Sequence, residues 1–197
     1  MSKGSEFHKF LAIDCETSGM NTKGDDPSVN YQMVSIGLIV SDPKTFKEIE
    51  KLYLEIKWNG ESEWSDFAYK IHGLSKEYLE ENGVDEEEAA AQILELIMRH
   101  FDTTKGITLC GHNAASFDKF FLKALLRKFD IELKFSHRVI DSFTIGLVAV
   151  QAFDSDELFS KMELAPRRMH NALEDIEYTL KSIRMINKLV KRCLESE

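Results

Sequence analysis

The sequence predicts an α/β domain built on a mixed sheet covered by helices. Two observations carry that prediction. Three strand-like segments, Phe10 to Gly19, Met33 to Ser41 and Ile49 to Lys57, precede any long helical pattern. After them, helices with apolar positions three and four apart alternate with single short strands at Ile107 to Cys110 and His137 to Ile140. That order implies a mixed sheet of five strands. At 197 residues the chain has the length of one ordinary domain with a sizeable core. No repeat, low-complexity tract or linker interrupts it. Residues 1–197 are therefore expected to form a single domain, with residues 1–6 set aside as disordered or vector-derived.

Each element has its own signal. The first strand is apolar and ends in a polar, Gly-containing turn, and the polar stretch Met20 to Gln32, with Gly24, Asp25, Asp26 and Pro27, reads as a loop. Asp42-Pro43-Lys44 is turn chemistry between the second and third strands, giving an antiparallel hairpin. Glu63 to Lys70 is expected as a short helix, broken at Ile71-His72-Gly73-Leu74-Ser75, where Ser75 caps Lys76 to Glu81. A clearer helix runs from Asp85 to about Phe101, with Ala89, Ile93, Leu96, Ile97 and His100 as its inner stripe. Ser116 is expected to cap a helix over Phe117 to Phe129, with Phe117, Phe121, Leu125 and Phe129 in register. Asp141 to Phe153 reads as helical and Asp154 to Arg168 as mostly irregular. The last helix spans about Asn171 to Leu194, with Leu173, Ile176, Leu180, Ile183 and Val190 along one side.

The chemistry begins on the first strand. Side chains alternate faces, so Asp14 and Glu16 point one way while Ile13 and Cys15 point the other. Two carboxylates side by side at the end of a buried strand repel and resist ionisation. A divalent cation between them removes that cost, and hard cations such as Mg²⁺ or Mn²⁺ prefer carboxylate oxygens. Taken alone, Asp-x-Glu fits equally a turn-capping carboxylate beside an exposed one, so the metal reading draws on partners elsewhere. Asp118 follows the strand-loop Leu109 to Ala115 and sits in the first turn of its helix, where negative charge is favoured. His170 and Asp175 are five residues apart, roughly 500° on an ideal helix. They converge only if His170 lies in the loop before the helix and Asp175 on its first turns.

Asp14-x-Glu16, Asp118 within Gly111-His112-Asn113-Ala114-Ala115-Ser116-Phe117-Asp118, and His170-x4-Asp175 occur in this order at domain spacings. The pattern resembles the DEDDh 3′–5′ exonucleases, the DnaQ-like and ribonuclease T-like branch with a histidine. The tyrosine branch would want Tyr-x3-Asp, and position 171 is Asn. The resemblance runs from about Phe7 to Leu189 and includes Ile71-His72-Gly73-Leu74-Ser75, similar to a His-Gly-Ile-Thr segment common in these enzymes. It implies a ribonuclease H-like fold, a mixed five-stranded sheet with helices on both faces. It also implies two Mg²⁺ or Mn²⁺ ions held by Asp14, Glu16, Asp118 and Asp175, with His170 as the base that deprotonates the attacking water. The expected reaction is hydrolysis of single-stranded 3′ ends of DNA to 5′-mononucleotides. Thr17, Met20 and Asn113 are the candidates for holding the terminal nucleotide, Arg167 and Arg168 for touching a substrate phosphate. Cys15 is assigned to the core. Asp141 resembles a family position too, but reads as a helix cap and is left out of the metal set.

Composition bounds these expectations. A formal charge of −9 excludes a broad basic stripe for phosphate binding, while leaving room for a narrow cleft in which metal supplies the positive charge. Much of the acidity is local, between Glu77 and Glu88. Cys15, Cys110 and Cys193 lie far apart without ligand spacing, which argues against disulfides and zinc and for a reducing cytoplasm. No apolar run is long enough to span a membrane. The expected partner is a single-stranded nucleic acid end, with the protein a monomer or homodimer. RNA is the alternative substrate: oligoribonucleases carry Met-Thr-Gly after the Glu, where this chain has Thr17-Ser18-Gly19, closer to the DNA-active pattern. A binding module that lost its chemistry is disfavoured because all five residues are present.

Overall fold

The computed structural model describes residues 9–166 and 169–195. Residues 1–6, Arg167 and Arg168 lie outside the described residues, so the expectations placed on them have no structural counterpart. Five strands, β1 (Phe10–Thr17), β2 (Met33–Ser41), β3 (Glu48–Glu55), β4 (Ile107–Gly111) and β5 (Phe135–Asp141), form one sheet in the order β3-β2-β1-β4-β5. β2 is antiparallel to β1 and β3, while β4 is parallel to β1 and β5, so the sheet is mixed as the element order predicts.

The alternation on β1 organises both faces. Leu11, Ile13 and Cys15 face a core shared with Ala89, Ile93 and Leu96 of α3 (Glu86–His100) and Phe121, Leu122 and Leu125 of α4 (Asp118–Arg127). Ala12 faces the other way and packs with Ile176, Leu180 and Ile183 of α7 (Ala172–Glu195). Asp14 and Glu16 share the parity of Ala12, which turns them toward α7. On β2, Gly37 pairs with Asp14. A Cβ there would collide with the carbonyl of Ala172 and stand 2.7 Å from Leu173 Cα. Only glycine lets the start of α7 close onto the sheet beside Asp14.

Several elements differ from expectation for local reasons. α1 spans Asp66–His72 rather than beginning at Glu63, because Ser65 caps it by accepting the N–H of Ala68 at 3.3 Å. α2 (Lys76–Asn82) starts at Ser75 as predicted. Ser116 does not cap α4: its hydroxyl donates to the Asn113 carbonyl at 3.0 Å and closes the loop on itself, leaving Phe117 at the cap position. Asp141 does cap α5 (Ser142–Val150), accepting the N–H of Phe143 at 2.8 Å. The stretch after it is not irregular. Asp154 accepts the N–H of Glu157 at 2.8 Å and begins α6 (Ser155–Lys161). Val190 leaves the buried stripe of α7 and is 50% exposed, because the helix runs past its partners after Ile186.

Candidate active site

All five residues of the sequence pattern line one cavity of about 630 Å³ at the end of β1. Asp14 and Glu16 come from the strand, Asp118 opens α4, His170 lies in the loop before α7, and Asp175 sits in the first turn of α7. His170 Nδ1 stands 3.4 Å from Asp175 Oδ2, so the pair converges as the loop-then-helix placement requires. The imidazole is 37% exposed and the carboxylate 6%, which leaves the ring reachable from the cavity and its partner anchored behind it. Asn171 secures this start. Its side-chain oxygen accepts the N–H groups of Leu173 and Glu174, both at 3.1 Å, and its amide donates to Tyr53 Oη at 3.1 Å across the sheet.

Met20 and Asn113 also line this cavity. Thr17 does not. It lines an adjoining, more apolar cavity of about 330 Å³ with Gly19, Tyr31, Phe67, Ala68 and Ile71, and the two spaces share Cys15, Glu16, Met20 and Phe117. His112, Phe159 and Thr179 line the larger cavity without having been singled out in the sequence. His112 had a visible signal, as the neighbour of Asn113 in the strand-loop. Its Nδ1 lies 3.1 Å from Ser142 Oγ at the start of α5. Phe159 enters with α6, a helix where the sequence reading expected irregular chain.

Asp118 carries the burial cost of the site. It is 3% exposed and accepts the backbone N–H of Cys15 at 2.8 Å. Burial pushes its carboxyl up to about 6, against the smaller opposing effect of its hydrogen bonds. Among the described residues, Glu16, His170 and Asp175 form a group whose ligand atoms all lie within 4.8 Å of one another, a group that does not include Asp14 or Asp118. A set of buried carboxylate oxygens, one of them held partly protonated by burial, fits a hard divalent cation, which replaces that proton.

The buried Asp118 carboxyl ties stability to pH. The unfolded chain releases this proton near pH 4 and the folded chain near pH 6, so the folded state binds more protons in that window. Ionising Asp118 therefore costs the metal-free protein on the order of 2 kcal/mol of stability as pH rises from 4 to 6, a contribution opposite in sign to that of carboxylates with lowered pKa such as Asp42 and Glu50. Asp118→Asn keeps an oxygen for the Cys15 N–H and carries no charge. Its metal-free unfolding midpoint is expected to exceed wild type at pH 7 and to match it at pH 4. Equal midpoints at pH 7 would contradict the assigned burial cost.

A family model described as Exonuclease (RNase_T) matches residues 11–183. The 3′-5′ DNA exonuclease Cap18 of Escherichia coli is 26% identical over 187 residues, covering 93% of this chain and 94% of that protein. The DNA polymerase III PolC-type of Thermotoga petrophila is also 26% identical over 187 residues, but this chain spans only 12% of its length. Among solved structures, the zinc-bound E. coli ExoI–ssDNA complex superposes with a TM-score of 0.76 at 17% identity, covering 96% of this chain and 42% of that one. Exonuclease I of Methylocaldum szegediense gives 0.70 at 17%, covering 92% and 40%. The fold is thus the ribonuclease H-like exonuclease fold. The chain belongs to the exonuclease family, in its DEDDh, DnaQ-like branch.

Proposed function

We propose that this chain is a 3′–5′ exonuclease domain that hydrolyses single-stranded 3′ ends of DNA and releases 5′-mononucleotides. The observation that carries the reading is the convergence of His170 and Asp175 with Glu16 beside an apolar cavity of about 330 Å³. Asp14, Glu16, Asp118 and Asp175 would hold two Mg²⁺ or Mn²⁺ ions. When bound, such a pair supplies positive charge to the attacking and leaving oxygens of an in-line displacement at phosphorus.

The chain's own groups do the rest. His170 takes the proton of the attacking water, and Asp175 behind it holds the ring in orientation and stabilises the imidazolium that forms. Phe67, Tyr31 and Ile71 offer faces on which an unpaired terminal base packs, while Thr17, Met20 and Asn113 bound the space for its sugar and phosphate. A stacked duplex end cannot enter without unpairing, so single strands are the substrate. The E. coli relative named as a 3′-5′ DNA exonuclease and the ssDNA-bound ExoI structure support DNA over RNA. No helix among the described residues is long and apolar enough to cross a membrane. The buried free thiols of Cys15 and Cys110 support placing the protein in a reducing cytoplasm.

The test is a matched panel of single-stranded DNA, blunt duplex DNA, RNA and dinucleotides, with purified protein and Mg²⁺. Single-stranded DNA is expected to be degraded fastest and the duplex slowest. Preference for RNA or for dinucleotides by a factor of ten or more would overturn the DNA assignment.

A further inference from the structure

The end of α1 and the loop carrying His170 are built against one another. The backbone N–H of His170 donates to the Ile71 carbonyl at 3.1 Å. Two residues on, Gly73 ends α1 in the left-handed conformation, φ 73°, returning its N–H to Tyr69 O at 2.7 Å. Met169 lies across that glycine, so that a Cβ added there would stand 2.6 Å from Met169 Cε. His72 sits between them, buried against the rings of Trp64 and Tyr69, its Nδ1 accepting the Leu74 N–H at 3.0 Å. Burial lowers its pKa to about 4, so it is a neutral pin in the structure.

Phe67, Ala68 and Ile71 of the same short helix wall the apolar cavity. One helix therefore touches the space for a base and, through its last turn, the backbone of His170. We propose that Gly73 and Met169 are positioning residues for His170: the cap of α1 fixes the loop, so the helix that walls the base cavity also sets where the imidazole stands. The inference rests on reading His170 as the general base. A base must sit within hydrogen-bond reach of the proton it takes, so a shift of the loop slows the chemical step while leaving the binding cavity intact.

Gly73→Ala strains the left-handed cap and displaces Met169. Met169→Ala removes the side chain seated on it, at a position exposed enough that the fold survives. Each variant is assayed on a single-stranded oligonucleotide under single turnover, alone and in a His170→Ala background, with folding checked by circular dichroism. Alone, each is expected to lower kcat by about tenfold with KM unchanged, since misplacement of about 1 Å costs up to 10²-fold. With His170 already removed, neither should lower the rate more than about twofold, because residues acting through one group are not additive. The same fractional loss in both backgrounds, or a rise in KM at constant kcat, would overturn the positioning role alone. A full rate in His170→Ala itself would overturn the general-base reading and this inference together.

Discussion

Asp14→Ala is expected to remove nearly all hydrolysis while leaving the protein folded. Asp14 stands on the central strand with Glu16, and its side chain faces the cavity rather than the core. Its loss takes no apolar contact from the clusters that hold the sheet. What it removes is a carboxylate from the set proposed to hold the cations, whose transition-state charge stabilisation is worth several kcal/mol. At 1.36 kcal/mol per tenfold, that is about 10³-fold or more in rate. The same loss is expected in wild type on adding a chelator, with recovery on adding excess Mg²⁺ or Mn²⁺. Circular dichroism and the unfolding midpoint of Asp14→Ala should match or exceed those of the metal-free wild type, because one source of carboxylate repulsion is gone. Near-normal hydrolysis by Asp14→Ala, or full activity in chelator, would remove the two-cation reading.

His170→Ala is expected to slow the chemical step by about 10²–10⁴-fold, the usual worth of a positioned base. Its effect should differ in kind from that of Asp14→Ala. Single-stranded DNA and Mg²⁺ should still bind with near-normal affinity, measured by fluorescence anisotropy and by metal titration, because the imidazole is assigned to the water and not to the cations. His170→Gln should do no better, since an amide donates and accepts hydrogen bonds without taking a proton. The proximity of His170 to Glu16 and Asp175 makes the distinction informative. If His170→Ala lost Mg²⁺ affinity in proportion to rate, the histidine would be a ligand and another group the base.

What the sequence disclosed was set by the range of each interaction. Asp14 and Glu16 were legible because strand periodicity alone puts them on one face, and the register with β2 runs unbroken from Phe10 to Glu16. His170 and Asp175 were legible as a conditional: convergence required a helix to begin between them, and α7 does begin at Ala172. The cap that makes it begin there, Asn171, went unrecognised although Asn171-Ala172-Leu173-Glu174 carries the capping pattern of a short polar residue followed three later by Glu. Asp154-Ser155-Asp156-Glu157 carries the same pattern, and with it α6 was missed. Both were local signals.

The remaining gaps were not local. The need for glycine at Gly37 comes from the backbone of Ala172 and Leu173, more than a hundred residues away. The bond from Asn171 to Tyr53 and the bond from His170 to Ile71 join elements whose adjacency appears only once the sheet order is known. Thr17, a candidate with Met20 and Asn113 for holding the terminal nucleotide, lines the adjoining cavity, at the point where the register of β1 against β2 shifts between Glu16 and Thr17. Ser116 failed as a cap because Asn113, at φ 60°, folds the preceding loop so that the hydroxyl is spent on closing it.

The most direct test of the account is the polarity of digestion. A linear single strand labelled at its 5′ end, a circular single strand of the same composition, and a linear strand ending in a 3′-phosphate are incubated with wild-type protein and Mg²⁺. The 5′-labelled strand should shorten one nucleotide at a time into a ladder, with 5′-mononucleotides released and the label retained on the shrinking strand until the end. The circle and the 3′-phosphate strand should resist. Immediate release of the label as mononucleotide, or cutting of the circle at a comparable rate, would contradict a site that admits a free 3′ terminus.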